Sequence, residues 1–320
     1  MNKEDAPQLS VVVPVFRGAR FLDELHRRLS NTLASIHPHY EILFVDDCSV
    51  DDSWAILERI QRADPHVRTL RLMRNAGQQR ALLAGLEHAK GAFVVTIDED
   101  LQLQPEDIRI LHSAIVETGA DAVIGRYEKK QHGLLRGLAT RIVKSFARIT
   151  MGVPLDLDLT SFRIMRQPLV SEVVRLRNFT PVVGFMIYQL SRRIENVTVS
   201  HQPRVGDRSS YTFRSLLDFF LCMVIDYSDL PLRAVGYIGF GSATLAVGLS
   251  VHYLVLFARG LIGVRGFPTL VLISLLFFGL TLMTLGVIGT YLRRILERTN
   301  GSPLYVIRER HGFPTATTHG

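Results

Sequence analysis

The chain has 320 residues, 47% of them apolar, two cysteines and a formal net charge of +7. That length holds one large domain plus an appendage, and Cys48 and Cys222 stand too far apart in sequence to suggest a disulfide framework. The basic excess argues for anionic lipid headgroups rather than nucleic acid, because much of it lies beside apolar segments.

Residues 9–15, Leu-Ser-Val-Val-Val-Pro-Val, predict a buried strand. Residues 41–47, Glu-Ile-Leu-Phe-Val-Asp-Asp, predict a second strand that ends in carboxylates. The stretch Cys48-Ser49-Val50-Asp51-Asp52-Ser53 then supplies turn and N-cap chemistry for a helix over 54–62. A third strand, 67–73, leads into Arg74-Asn75-Ala76-Gly77-Gln78-Gln79 and a helix over 80–89. After Gly91, the run Ala-Phe-Val-Val-Thr-Ile meets Asp98-Glu99-Asp100. Carboxylates at the end of a buried strand are hard oxygen ligands, suited to Mg²⁺ or Mn²⁺ held together with substrate phosphates. The carboxyl edge of a parallel sheet is also where open α/β folds bind ligands. A solvated acidic turn is the bland alternative. Residues 121–126 predict one more strand, and the alternation as a whole reads as α/β with a mostly parallel, Rossmann-like sheet.

Several ordered motifs carry a resemblance. They are Ser10-Val-Val-Val-Pro14-Val15, Val45-Asp46-Asp47-Cys48-Ser49-Val50-Asp51-Asp52-Ser53, Arg74-Asn-Ala-Gly-Gln78 with Ala84-Gly85, and Asp98-Glu99-Asp100-Leu101-Gln102 with Pro105-Glu106. In this order they resemble the catalytic domain of glycosyltransferase family 2, which has the GT-A fold. Together with the C-terminal half, the chain is similar to the polyprenyl-phosphate glycosyltransferases, such as dolichol-phosphate mannose synthases and bacterial undecaprenyl-phosphate sugar transferases. Phe16-Arg17-Gly18-Ala19 departs from the Tyr-Asn-Glu-Glu such enzymes often carry.

Two stretches, 234–258 and 266–292, contain no Asp, Glu, Lys or Arg. Each is long enough to cross a bilayer core, and the short linker between them predicts a transmembrane hairpin (about 234–258 and 268–292). No signal peptide is evident in the polar residues 1–8, so the catalytic domain and both termini are expected in the cytoplasm, at the cytoplasmic (inner) membrane. Arg293, Arg294, Arg298, Arg308 and Arg310 agree with a positive-inside tail, whereas Arg259 and Arg265 in the outer loop weaken that bias. The expected organisation is a GT-A domain over 1–211, a juxtamembrane helix over 212–232, the hairpin over 233–292 and a cytoplasmic tail over 293–320. Within the first part, 134–151 reads as a basic amphipathic helix, with Leu134, Leu138, Ile142 and Phe146 on one side and Arg136, Arg141, Lys144 and Arg148 on the other. Asn178-Phe-Thr and Asn196-Val-Thr match glycosylation sequons, which carry no meaning on the cytoplasmic side.

The chemistry expected of these residues is metal-dependent, inverting transfer of one sugar from a nucleotide donor, UDP-linked by the undecaprenyl-type resemblance, to a polyprenyl phosphate. Such a reaction would serve cell-envelope glycan or lipid modification. Asp98 and Asp100 are the metal ligands, with Asp100 the more direct one. Pro14, Val15, Asp46, Asp47, Asp98 and Glu99 form the nucleotide pocket; for Asp46 and Asp47 the alternative is helix capping. The resemblance implies Asp158 as the acceptor-side catalytic residue, with Asp156 a competitor. Arg126, Arg163, Arg204 and Arg208 are candidate phosphate clamps, since guanidinium groups match phosphate oxygens bidentately. Ser210 stands where a lysine often stands, and residues 177–184 depart from the family's basic segment. The partners are the donor, the lipid acceptor and membrane lipids, without nucleic acid; a homo-oligomer is left open. A processive polysaccharide synthase is disfavoured, because its Gln-x-x-Arg-Trp motif is absent and the sole tryptophan is Trp54. An inactive sugar-nucleotide-binding scaffold is disfavoured by the intact Asp98/Asp100 pair.

Overall fold

A computed structural model describes residues 7–127, 153–154, 156–176, 181–200, 230–259, 267–299 and 303–313. Chain order starts with β1 (Leu9–Val15), α1 (Leu22–Ile36), β2 (Tyr40–Asp46), α2 (Ser53–Ala63), β3 (Val67–Leu72), α3 (Gln78–His88) and β4 (Phe93–Thr96). Then come α4 (Ile108–Thr118), β5 (Ala122–Tyr127), β6 (Arg163–Arg166), α5 (Gln167–Arg175), α6 (Val183–Leu190) and β7 (Ile194–Val199). The last elements are α7 (Leu230–Ala258), α8 (Phe267–Thr299) and β8 (Ile307–His311).

β1 and β2 are buried at every position because helices cover both faces of the sheet, which is why their sequences are mostly apolar instead of alternating, with the buried Ser10 and Glu41 bonded to each other. On one face, α1 inserts Leu22, Leu25, Leu29 and Leu33, the 3–4 spacing that keeps one helical stripe inward. On the other face α3 comes very close to β1. A Cβ added at Gly85 would lie 2.2 Å from Val12 Cγ1, so only glycine permits this approach. Each fully buried Leu or Phe of these layers stabilises the fold by about 1.5–3 kcal/mol relative to exposure.

The sheet order is β7-β5-β6-β4-β1-β2-β3-β8. β1 is parallel to both β2 and β4, and β2 to β3. The chain therefore steps outward from β1 to β3 and crosses back to β4 on the other side of β1. This reversal opens a crevice at the carboxyl ends of β1 and β4, the place where ligands bind in open α/β sheets. β6 lies antiparallel to both β4 and β5, which sets Ser161 and Arg163 beside β4.

β8 was not foreseen. The sequence reading leaves residues 293–320 as a tail, whereas Ile307–His311 pairs antiparallel with β3, setting Arg71 opposite Glu309 and Thr69 opposite His311. Its alternating exposed and half-buried residues explain why it gives no apolar signal: it covers a sheet edge mainly through its backbone, with Ile307 its one apolar residue against the core.

The chain divides into two compact units, 1–209 with 303–320, and 210–302. The second contains α7, 29 residues, and α8, 33 residues. Several side chains inside both helices fall outside the description, and among the described residues no helix is long and apolar enough to cross a membrane. The amphipathic segment 134–151 and most of the juxtamembrane segment 212–232 lie outside the described residues.

Candidate active site

The loops after β1, β2 and β4 build one site, and each contains a non-glycine residue with positive φ: Arg17 at 57°, Cys48 at 58° and Leu101 at 57°. Left-handed backbone costs such residues about 1–2 kcal/mol each, and strain of this kind gathers at binding and catalytic loops.

The β2 loop organises its neighbours. Asp46 is fully buried, accepts the Ser49 backbone N–H and has Arg71 Nε 3.6 Å away. Burial pushes its carboxyl above the ordinary 3.8, with Ser49 and Arg71 opposing. Asp47 accepts backbone N–H groups from Ala76 at 2.6 Å and Gly77 at 2.8 Å. Both its oxygens are thereby engaged in holding the loop that leads into α3, where Gly77 supplies a φ of 91°. Ser49 Oγ accepts from the Arg17 N–H and Ser53 Oγ from the Gly18 N–H, which ties the β1 loop to the β2 loop. Pro14 and Val15 are buried opposite Val45 and Asp46, so they shape the floor between these strands.

Across the crevice stands the acidic cluster. Asp98 accepts from Gln78 Nε2 at 2.7 Å and from Ser161 Oγ at 2.6 Å, one donor on each oxygen. Desolvation raises its pKa; Ser161 and Arg163 act against this and Asp100 with it. Glu99 is pushed up to about 7, first by desolvation and then by Asp98 and Asp100. The Phe16 N–H approaches its Oε1 at 3.5 Å, and a Cβ on Gly18 would sit 2.9 Å from its Cγ. The Gly18 found in the divergent Phe-Arg-Gly-Ala stretch thus makes room for Glu99. Asp100 accepts the Gln102 backbone N–H at 3.2 Å and Gln102 Nε2 at 2.8 Å.

On the β5–β6 side, Arg126 Nε lies 3.2 Å from Asp158 Oδ2. The approach lacks hydrogen-bond geometry, so the two are paired by charge. Asp158 is partly buried and Asp156 exposed. Arg163 is only 2% exposed, and its Nη1 has no hydrogen-bond partner among the described residues. Burial lowers its pKa to about 10, with Asp98 and Tyr127 opposing. It is an internal cation whose charge acts on Asp98. Arg204 and Arg208 lie outside the described residues.

The structure therefore brings together Asp46, Asp98, Glu99 and Asp100 around one crevice. Gln78 and Ser161, both partners of Asp98, were overlooked in the sequence. Gln78 lies in the Arg74–Gln79 stretch and Ser161 between Asp158 and Arg163, but the role of each depends on contacts made from distant parts of the chain. A separate group, Glu58, Glu309 and His311, brings ligand atoms within 4.8 Å of one another beside β8.

The description "Glycosyl transferase family 2" matches residues 10–171. The chain belongs to this family. It is a glycosyltransferase, and its α/β unit is GT-A-like. Among curated proteins, this glycosyltransferase is 30% identical over 96% of its length, and 95% of the relative's, to "Uncharacterized glycosyltransferase YkcC" of Bacillus subtilis (strain 168). It is 29% identical over 94% of its length, and 93% of the relative's, to the undecaprenyl-phosphate 4-deoxy-4-formamido-L-arabinose transferase of Salmonella choleraesuis (strain SC-B67). Among solved structures, glucosyl-3-phosphoglycerate synthase from Mycobacterium tuberculosis, in complex with Mn²⁺ and UDP-glucose, superposes with a TM-score of 0.50 at 15% identity. That match covers 69% of this chain and 79% of the other, and speaks to the fold alone.

Proposed function

We propose that this glycosyltransferase moves a single sugar from a nucleotide-sugar donor, UDP-linked, to a polyprenyl phosphate of the undecaprenyl type at the cytoplasmic face of a membrane. The observation that carries this reading is the meeting of Asp46, Asp98, Glu99 and Asp100 at the switch point of one sheet. Curated relatives named for transfer to undecaprenyl phosphate support the acceptor class, and they match over 94% of the chain, well beyond the α/β unit.

A lipid phosphate is already an anion near neutral pH, so its oxygen attacks C1 of the sugar without strong general-base help. As that bond forms, the bond from C1 to the diphosphate oxygen breaks, and the nucleoside diphosphate leaves with the electron pair. One in-line displacement inverts C1. Asp98 and Asp100 are the residues to hold a divalent metal, and when bound it supplies Lewis-acid neutralisation of the leaving diphosphate. Their chemistry fits: both offer hard carboxylate oxygens, oriented by Gln78, Ser161 and Gln102. Asp46, at the end of β2, contacts the nucleoside, and Asp47 keeps the neighbouring loop in shape. Asp158 orients the acceptor, with Arg126 balancing its charge. Arg163 compensates Asp98 from within the sheet, which leaves Arg204 and Arg208 as the phosphate clamps.

The two long helices form the membrane hairpin in this reading. Helices of 29 and 33 residues extend about 44 and 50 Å, beyond the roughly 30 Å of a hydrocarbon core. The chain leaves the α/β unit before the helices and rejoins it as β8, which favours an even number of crossings with both ends on one side. The domain division 1–211, 212–232, 233–292 and 293–320 stands with that proposal, 134–151 being the interfacial segment.

The test is a screen of UDP-, GDP- and dTDP-sugars against undecaprenyl phosphate, with mass detection of the glycolipid. A lipid product from one UDP-sugar is the expected result. Polymer growth, or binding without turnover, would replace the proposal with a synthase or a scaffold.

A further inference from the structure

Asn196 matches a glycosylation sequon, yet its carboxamide is fully used inside the fold. Its Nδ2 donates to Ile124 O and to Asp158 O, each at 3.0 Å. Its Oδ1 accepts the Asp158 backbone N–H at 2.8 Å and Arg126 Nη2 at 3.3 Å. One side chain on β7 thus grips both backbone polar groups of Asp158 and also steadies the guanidinium that faces the Asp158 carboxylate. Asp158 lies in the irregular stretch before β6, where no strand ladder fixes its backbone.

We propose that Asn196 is a positioning residue that holds Asp158, and through Arg126 its carboxylate, in the orientation used toward the acceptor. This rests on Asp158 serving the acceptor, as proposed above. An aspartate there would lack the two donors, and a serine would lack the reach to bond the N–H and the C=O of one residue together. The requirement is geometric, since a displacement of about 1 Å at a reacting group costs on the order of 100-fold in rate.

The full chain in detergent or lipid should be assayed as wild type, Asn196→Ala, Asp158→Ala and the double variant, with donor and acceptor kinetics taken separately. Asn196→Ala should lower kcat/KM for the polyprenyl phosphate by about 10-fold or more and leave the donor KM within about twofold. Added to Asp158→Ala, it should change the remaining rate by less than about twofold, because groups acting as one unit are not additive. If Asn196→Ala does not fold, Asn196→Asp, of equal size, takes its place in the same cycle. Equal losses in both backgrounds, or a donor KM that rises as much as the acceptor term falls, would overturn the inference and make Asn196 merely a tie between strands. A fully active Asp158→Ala would instead sink the assignment of Asp158, and this inference with it. An impaired Asp158→Ala beside an unaffected Asn196→Ala would sink the inference alone.

Discussion

Arg71 on β3 donates from Nη1 to Glu309 on β8 across 3.4 Å, joining the Asp46 side of the sheet to a strand that follows both long helices in the chain. The same guanidinium stands 3.6 Å from the buried Asp46 and 5.2 Å from the centre of the Trp54 ring. Glu309→Gln should be mild, within about 1 kcal/mol, because partly exposed ion pairs contribute little. Deleting 303–320 should be severe, because β3 becomes a bare edge strand beside Asp46. Thermal unfolding and donor titration of the two variants test the contrast; similar midpoints for both would show that β8 has no such role.

Asp47 offers a second test. Asp47→Asn places an amide NH₂ against one of two backbone N–H groups that now find a carboxylate. The loss of a charged acceptor should cost about 1–3 kcal/mol and loosen the loop before α3. The expected readout is a lower melting temperature with weaker UDP binding by calorimetry. Wild-type values for both would exclude the loop-holding role.

For the metal, Asp100→Asn should reduce transfer by at least about 100-fold, the scale seen when one preorganised electrostatic group is removed. The fold should survive, since Asp100 is only partly buried at the sheet edge. Magnesium-dependent UDP binding is the direct measurement. Undiminished transfer by this variant in EDTA would remove metal from the mechanism.

Stability toward acid should depend on Asp64. Burial acts to raise its pKa, but hydrogen bonds with His26, at 2.8 Å, and His66 outweigh it and hold the carboxyl below the ordinary 3.8. A depressed folded value means stabilisation that is complete above the unfolded value and lost as pH falls through the folded one. Asp64→Asn should therefore cost about 1–2 kcal/mol at pH 7, and the gap should close below 3.8. Urea titrations of both proteins at neutral and acid pH will show whether the gap narrows; a constant difference would mean that charge is not involved.

Topology is testable by labelling. With Cys48 and Cys222 replaced by Ser, a cysteine placed within 260–263 should react with an impermeant maleimide from outside the cytoplasmic membrane. One at Thr315 should react only after permeabilisation, since the strand preceding it belongs to the catalytic sheet. The opposite pattern would invert the arrangement.

By itself the sequence determined the central sheet, because β1, β2 and β4 are largely buried on both faces and so appear as predominantly apolar, non-alternating runs. It also placed carboxylates at strand ends, where the change from apolar to acidic is abrupt at Asp46 and Asp98. The division of labour among those carboxylates needed the tertiary structure. Asp46 and Asp47 are neighbours in the chain, yet one lies by Arg71 and the other is taken up by the Ala76 and Gly77 amides. The burial of Arg163 likewise follows only from β6 lying antiparallel to β4 inside the sheet. β8 and the grip of Asn196 on Asp158 were hidden for the same reason. Both act through backbone and amide hydrogen bonds between segments far apart in the chain, and such bonds leave no periodic apolar trace in the sequence.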